Sequence, residues 1–211
     1  FYDDEQISSV AKILESGRVN YWTGDQGKIF EKEFSDKFHA KYSVALANGS
    51  LALSCAYLAL DLKKGDEIIT TPRTFIATSS SAVLLGIKPV FVDVDINSGN
   101  IDSEKIEPAI NKKTKAIVVV HLAGWPAEMK KICELAKKYG LYIIEDCSQA
   151  HGSKINNKNV GTFGDIATWS FCQDKIITTG GEGGMLSTNN FEFFNKVWSF
   201  KDHGKSYEKI N

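Results

Sequence analysis

Lys115-Ala116-Ile117-Val118-Val119-Val120-His121-Leu122 is the stretch that decides the fold. Residues 116–120 are all apolar, so a strand here has no face suited to water. Such a strand is covered on both sides, as in a largely parallel sheet with helices above and below. The neighbouring segments fit that reading. Downstream, Ala127–Tyr139 places Ile132, Leu135, Ala136 and Tyr139 on one helical face, and Leu141–Asp146 is another strand. Upstream the same alternation recurs, with strands at Tyr42–Ala47, Glu67–Thr71 and Pro89–Val94. Helices lie between them at Ser50–Asp61, Thr74–Leu85 and Ser103–Ile110. Alternating strands and helices predict an α/β fold of three layers around a mostly parallel sheet, joined by right-handed crossovers.

The flanks are of a different texture. Ile7, Val10, Ala11 and Leu14 share a helical face that ends at Gly17, with Asp3 and Gln6 spaced as a capping box. Phe30, Phe34 and Phe38 make an aromatic stripe on a second helix. After Asp146 the chain is polar and loop-like over Gly152–Gly164. Strands at Ile166–Phe171 and Met185–Thr188 then flank a glycine-rich turn, Gly180–Gly184, before a helix at Phe191–Phe200. The expectation is one domain over 1–211, its N-terminal helices (1–40) covering an α/β core (41–211).

Composition excludes several classes. The 211 residues carry 25 basic and 26 acidic side chains, so no positive surplus exists to hold a nucleic acid. Hydrophobic residues at 43% and charged residues at 24% describe a globular chain rather than a disordered one. Apolar runs fall short of a bilayer span, and Phe1-Tyr2-Asp3-Asp4-Glu5 has neither the basic nor the apolar region of a signal peptide. Cys55, Cys133, Cys147 and Cys172 form no C-x-x-C pair, which fits reduced thiols in a cytoplasmic protein and predicts no metal site.

In an open α/β sheet, ligands gather beyond the carboxyl ends of the strands. Four such places carry chemistry. Asn48-Gly49-Ser50 opens a helix, where free N–H groups suit a phosphate; an ordinary serine cap accounts for the same residues. Glu145-Asp146-Cys147-Ser148-Gln149-Ala150-His151 ends an apolar strand with two carboxylates. Only one of them can face the crevice, to hold a metal, a ribose or a ring nitrogen, or simply to cap a turn. Lys175 stands between an apolar strand and a glycine-rich turn, where partial desolvation favours a nucleophilic amine; a solvated surface lysine is the alternative. Phe75, at a helix start, suits either stacking on a flat ligand or core packing. Together a phosphate turn, a stacking ring, a strand-end aspartate and an isolated lysine are what pyridoxal 5′-phosphate (PLP) requires.

With these residues in view, the chain resembles the DegT/DnrJ/EryC1/StrS sugar aminotransferases, of the fold type I PLP enzymes. The resemblance rests on Asn48–Leu53, Thr74–Thr78, Pro89–Val94, Glu145–Gly152, Ser170–Lys175 and the glycine turn, in family order over nearly the whole chain. It implies that Lys175 forms the internal aldimine and moves the proton, and that Asp146 binds the pyridinium nitrogen. It places Gln149 near the ring hydroxyl, Gly49, Ser50, the Leu51 backbone and Ser170 at the phosphate, and Phe75 on the ring. No role follows for His151. Cys172 stands where the family often has histidine. The glycine turn has one glycine more than the usual form, and Arg73 is a candidate for reaching substrate.

The implied function is amination of a nucleotide-linked keto-sugar, with glutamate as donor, in amino-sugar or polysaccharide biosynthesis. The alternatives are a PLP-dependent sugar dehydratase, in which histidine replaces the lysine, and a PLP-binding regulator without turnover. Family members continue into a small C-terminal domain that this sequence does not include. A homodimer is expected, with Val197, Trp198 and Phe200 exposed for want of that cover, and with Tyr21 and Trp22 near the site entrance.

Overall fold

The structure is a computed structural model, and it describes residues 2–210. Helix α1 (Asp4–Glu15) starts where the capping box requires. The Asp3 carboxylate accepts the Gln6 N–H at 2.8 Å, and the Gln6 side chain accepts the Asp3 N–H at 3.0 Å. Its apolar stripe faces outward, however, and no residue of α1 is buried. Covering the core therefore falls to α2 (Gln26–Phe38) alone among the N-terminal helices. Phe34 and Phe38 pack there on Trp169, with ring centroids 5.2 and 4.9 Å away.

Seven strands form the main sheet in the order β1-β9-β8-β5-β4-β2-β3. They are β1 (Tyr42–Leu46), β2 (Glu67–Thr70), β3 (Lys88–Phe91), β4 (Thr114–Val120), β5 (Tyr142–Asp146), β8 (Ile166–Ser170) and β9 (Gly184–Thr188). Neighbours from β8 through β3 pair in parallel, whereas β9 runs antiparallel to both β8 and β1. The sheet is thus mostly parallel, as the alternation predicts, with one reversed strand.

β4 shows why an all-apolar strand was diagnostic. Val118 joins a cluster with Leu53, Tyr57, Ile144 and Trp198, covered by α3 (Gly49–Ala59), α4 (Ala77–Leu84) and α7 (Phe191–Lys201). Ile117 and Val119 point the other way, into a cluster with Ile132 and Leu135 of α6 (Met129–Tyr139) and Ile106 of α5 (Ser103–Ile106). Each fully buried side chain of this size contributes about 1.5–3 kcal/mol.

Several boundaries shift for physical reasons. The helix expected from Ser103 to Ile110 tightens to a 3-10 turn at Glu107–Ala109, where Pro108 has no N–H to continue the ladder. The helix expected at Thr74 begins at Ala77, and Thr74 and Phe75 stay in the preceding loop. The polar segment 152–164 contains a small hairpin, β6 (Lys154–Ile155) with β7 (Lys158–Asn159), its turn at Asn156 and Asn157 in left-handed geometry. A further short helix, α8 (Tyr207–Ile210), follows α7.

The aromatic end of the chain corrects another expectation. Val197 and Trp198 are buried, and only Phe200 of the three is exposed. Tyr21 and Trp22 turn towards α7, not towards the carboxyl edge of β5. Trp198 Nε1 donates to Tyr21 Oη at 3.3 Å, Trp22 Nε1 donates to Asp202 at 2.9 Å, and Tyr207 packs edge-on against Trp198. The N-terminal strap and α8 supply the cover.

Candidate active site

A cavity of about 430 Å³ opens at the carboxyl ends of β1, β5 and β8. Gly49, Ser50, Phe75, Asp146, Gln149, Ser170 and Lys175 all line it. Residues over a hundred positions apart thus meet where the sheet logic places a ligand.

The floor is built by close backbone approach. A Cβ on Gly49 would lie 2.8 Å from Ser170 Cβ, and one on Gly184 would collide with the Asn48 carbonyl. Only glycine lets the turn after β1 sit against β8 and β9. Asn48 caps α3 by accepting the Leu51 N–H at 2.8 Å. The Leu51 amide is therefore already engaged, and Leu51 does not line the cavity. The first N–H groups of α3, on Gly49 and Ser50, have no intrahelical acceptor and lie at the positive end of the helix dipole.

The strand-end carboxylates separate as alternation requires. Asp146, 5% exposed, turns into the cavity, where Thr78 Oγ1 donates to its Oδ2 at 2.8 Å and the Ser148 N–H to its Oδ1 at 3.2 Å. Thr78 is fixed in turn by a 2.9 Å hydroxyl contact with Thr74. The sequence reading missed Thr78, although threonines four apart at a helix start signal two hydroxyls on one side.

Glu145 points to the opposite face and is saturated. Its oxygens accept the N–H groups of Gly161, Phe163 and Gly164 at 2.7–2.8 Å and pair with His121 Nε2 at 3.0 Å. His121 Nδ1 accepts the Ala127 N–H at 3.1 Å, so Nε2 carries the proton towards Glu145. His121, Glu145 and Cys147 lie close enough to suggest a metal site. These bonds already consume the imidazole and the carboxylate, and burial holds the Cys147 thiol well above its ordinary pKa. Glu145, steadied by His121, clamps the loop at Gly161–Gly164.

Lys175 lies in the connection from β8 to β9, which is closed by Phe171 N–H to Gly183 O at 2.8 Å and Gln173 N–H to Gly181 O at 3.0 Å. Its side chain is 20% exposed, with Nζ 3.4 Å from Asp174. Gln149 is oriented by the Ala123 N–H, which donates to its Oε1 at 2.7 Å. Cys172 Sγ contacts Glu182 at 3.5 Å, and both line the cavity. Phe75 stands 66% exposed at the mouth, a ring without a cover. His151 is buried between Trp169 and Phe171; among the described residues neither ring nitrogen makes a hydrogen bond of good geometry, the Ser170 backbone being its nearest polar neighbour, and burial pushes its pKa down to about 4.

These features fit PLP. Unpaired amides and a serine hydroxyl suit the phosphate, an exposed ring suits the flat heterocycle, and a buried carboxylate suits a protonated ring nitrogen. They define a fold type I site.

The comparisons agree. A profile of the DegT/DnrJ/EryC1/StrS aminotransferase family matches residues 2–211, and the chain belongs to that family. It is 44% identical to a GDP-perosamine synthase of Escherichia coli O157:H7 over 87% of this chain and 51% of that one. An aminotransferase from Psychrobacter cryohalolentis superposes with a TM-score of 0.98 at 52% identity, covering all of this chain and 53% of the other. NtdA from Bacillus subtilis, solved with bound cofactor PMP, gives a TM-score of 0.90 at 33% identity over 97% of this chain and 46% of that one. A GDP-4-keto-6-deoxymannose-3-dehydratase also superposes, with a TM-score of 0.90 at 32% identity over 96% of this chain and 53% of the other. The chain spans about half the length of the curated relatives it matches. No helix among the described residues is long and apolar enough to cross a membrane.

Proposed function

We propose that the protein is a PLP-dependent aminotransferase that passes an amino group from glutamate to a keto-sugar carried on a nucleotide. The observation that carries this reading is the meeting of Lys175 and Asp146 in one cavity above the Gly49–Ser50 turn. When bound, PLP supplies a conjugated ring that accepts electrons and carries the amino group. The chain's residues do the rest. The Gly49 and Ser50 amides, with the Ser50 and Ser170 hydroxyls, hold the phosphate. Asp146 holds a proton on the ring nitrogen, and Thr78 keeps that carboxylate in register. Gln149 would meet the ring hydroxyl, and Phe75 at the cavity mouth would cover the ring. Lys175 Nζ, at the same cavity, would hold the cofactor and, when free, would be the base placed to take a proton from the donor's α-carbon.

Lys175 favours transamination over the dehydratase reading, because the resemblance gives dehydratases a histidine there. Homologues named for perosamine and amino-sugar synthesis support a nucleotide-sugar acceptor. A homodimer is supported by the exposed apolar side chains Leu51, Phe75, Ile76, Val83 and Leu84 around α3 and α4. The buried α7 aromatics give it no support. Four unpaired cysteines fit a cytoplasmic location.

Glutamate added to the PLP-loaded holoenzyme is expected to bleach the visible absorbance of the lysine-bound cofactor, and a nucleotide-linked keto-sugar to restore it. An unchanged band overturns the transaminase and favours a regulator without turnover.

A further inference from the structure

Gln149 lines the cofactor cavity, and its amide has two unlike ends. A backbone N–H can bond only to the oxygen end. The Ala123 N–H does so, at 2.7 Å from Oε1. Nε2 has no partner among the described residues and is left as the end free to donate into the cavity. Which end of Gln149 meets a bound cofactor is therefore decided at Ala123.

Ala123 is held in an unusual shape. Its φ of 52° and ψ of 26° are left-handed, a region that residues with a side chain seldom enter and keep only where their surroundings impose it. Its own methyl group is exposed and imposes nothing. The constraint comes from Asn100, 2% exposed, on the loop after β3. Asn100 Oδ1 accepts the Leu122 N–H and its Nδ2 donates to the Trp125 carbonyl, both at 2.9 Å. One side chain thus grips the backbone on both sides of Ala123 and Gly124. Ser153 Oγ adds a single bond, to the Gly124 carbonyl at 2.7 Å. Asn100 is itself anchored. Its carbonyl accepts the Asp95 N–H at 2.9 Å, and the buried Ile101 beside it bridges to Val94.

We propose that Asn100 is a positioning residue for the cofactor: by holding Ala123 left-handed, it turns Gln149 so that Nε2 meets the ring oxygen. The inference rests on the PLP reading of the cavity. Asn100 does not line that cavity; its influence passes from the loop after β3, through the loop after β4, to the loop after β5. Chemistry gives the effect a direction. An N–H donor favours negative charge on the oxygen it meets. That charge is greatest once the lysine–cofactor group has lost its proton, so the donor lowers the pH at which the proton leaves, and losing the donor raises it.

Two measurements test this. Hydrogen exchange at the residue 123 amide, followed by NMR in the apoprotein, should quicken about tenfold in Asn100→Ala and in Gln149→Ala, and no further in the double variant. In the PLP-loaded holoenzyme, the pH midpoint of the visible band should rise by about half a unit or more in both single variants, with the double variant matching Gln149→Ala. Ala123→Val reaches the same point without disturbing a buried side chain. A β-branched residue resists this φ, so the variant should fold and reproduce both changes, and it decides the matter if Asn100→Ala does not fold. The brace is overturned if Asn100→Ala or Ala123→Val leaves both readouts at wild type, or if the effects of Asn100→Ala and Gln149→Ala add in full. Bleaching by glutamate with a wild-type midpoint in Asn100→Ala sinks the brace and spares the transaminase. Quickened exchange in a chain that takes up no PLP does the reverse: Asn100 still orients Gln149, and the PLP reading falls.

Discussion

Two carboxylates leave β5 one residue apart and serve opposite ends. On one face Glu145 meets three backbone N–H groups and an imidazole, and every partner is protein. On the other, Asp146 meets a hydroxyl and one amide beside a cavity that also holds unpaired helix amides and a lysine. The saturated side is structure, since a buried charge is stable only when fully bonded. The side left short of partners is where a ligand completes the set.

The sharpest break of that contrast is at Lys175. Lys175→Ala should lower turnover about 10³-fold or more, with no cofactor retained after borohydride reduction and an unchanged melting curve for the apoprotein. Trapping of the cofactor on another lysine would refute the assignment. Next is the carboxylate pair itself. Asp146→Asn should keep the fold and the cofactor but cut transamination roughly 10³-fold, because the ring nitrogen loses the charge that holds its proton. Near-normal turnover would remove Asp146 from the electron sink.

Glu145→Ala should fail in the other currency. It strands the buried His121 and three part-buried amides, at a cost of about 3–5 kcal/mol by denaturant titration. A stable Glu145→Ala protein that lost only activity would reverse the roles. Thr78→Val sharpens the comparison further. It removes one hydrogen bond to a buried carboxylate, about 1.5–3 kcal/mol, and should lower kcat more than it raises KM for glutamate.

The smallest effect concerns His151. Its pKa of about 4 in the fold lies below its ordinary 6.5, chiefly through burial, with the Lys175 charge acting in the same sense. The unfolded chain then binds the extra proton, so this contribution is full above pH 6.5 and is lost as pH falls towards 4. It amounts to about 3 kcal/mol at most. His151→Phe should flatten stability against pH over that window relative to wild type. Parallel curves would show that the imidazole finds a partner.

Much of this was legible in sequence because it obeys local rules. Period-two alternation assigned Glu145 and Asp146 to opposite faces, and an apolar β4 announced helices on both sides. The capping box at Asp3 and Gln6 needs only four residues. What escaped depends on distant partners. Nothing near Trp198 shows that Tyr21 and Trp22 will cover it, or that α1 will stand with Ile7 and Val10 in solvent. The Leu51 amide looked available because the Asn48 side chain that takes it could equally have turned elsewhere. The spacing of Thr74 and Thr78 was a local signal, but the carboxylate that Thr78 serves lies 68 positions away.

The reversed strand β9 also governs when the protein can assemble. Among the described residues β1 has β9 as its only partner in the sheet, about 140 residues later in the chain. A ribosome adding about 5–20 residues per second needs roughly 7–30 s to cross that gap. Throughout, β1 and the turn after it wait with an open edge, and Gly184 is not yet there to seat against Asn48. The Gly49–Ser50 turn is encoded early and completed late. A nascent chain halted before Thr188 carries the glycine turn and the Lys175 loop without the strand that joins them.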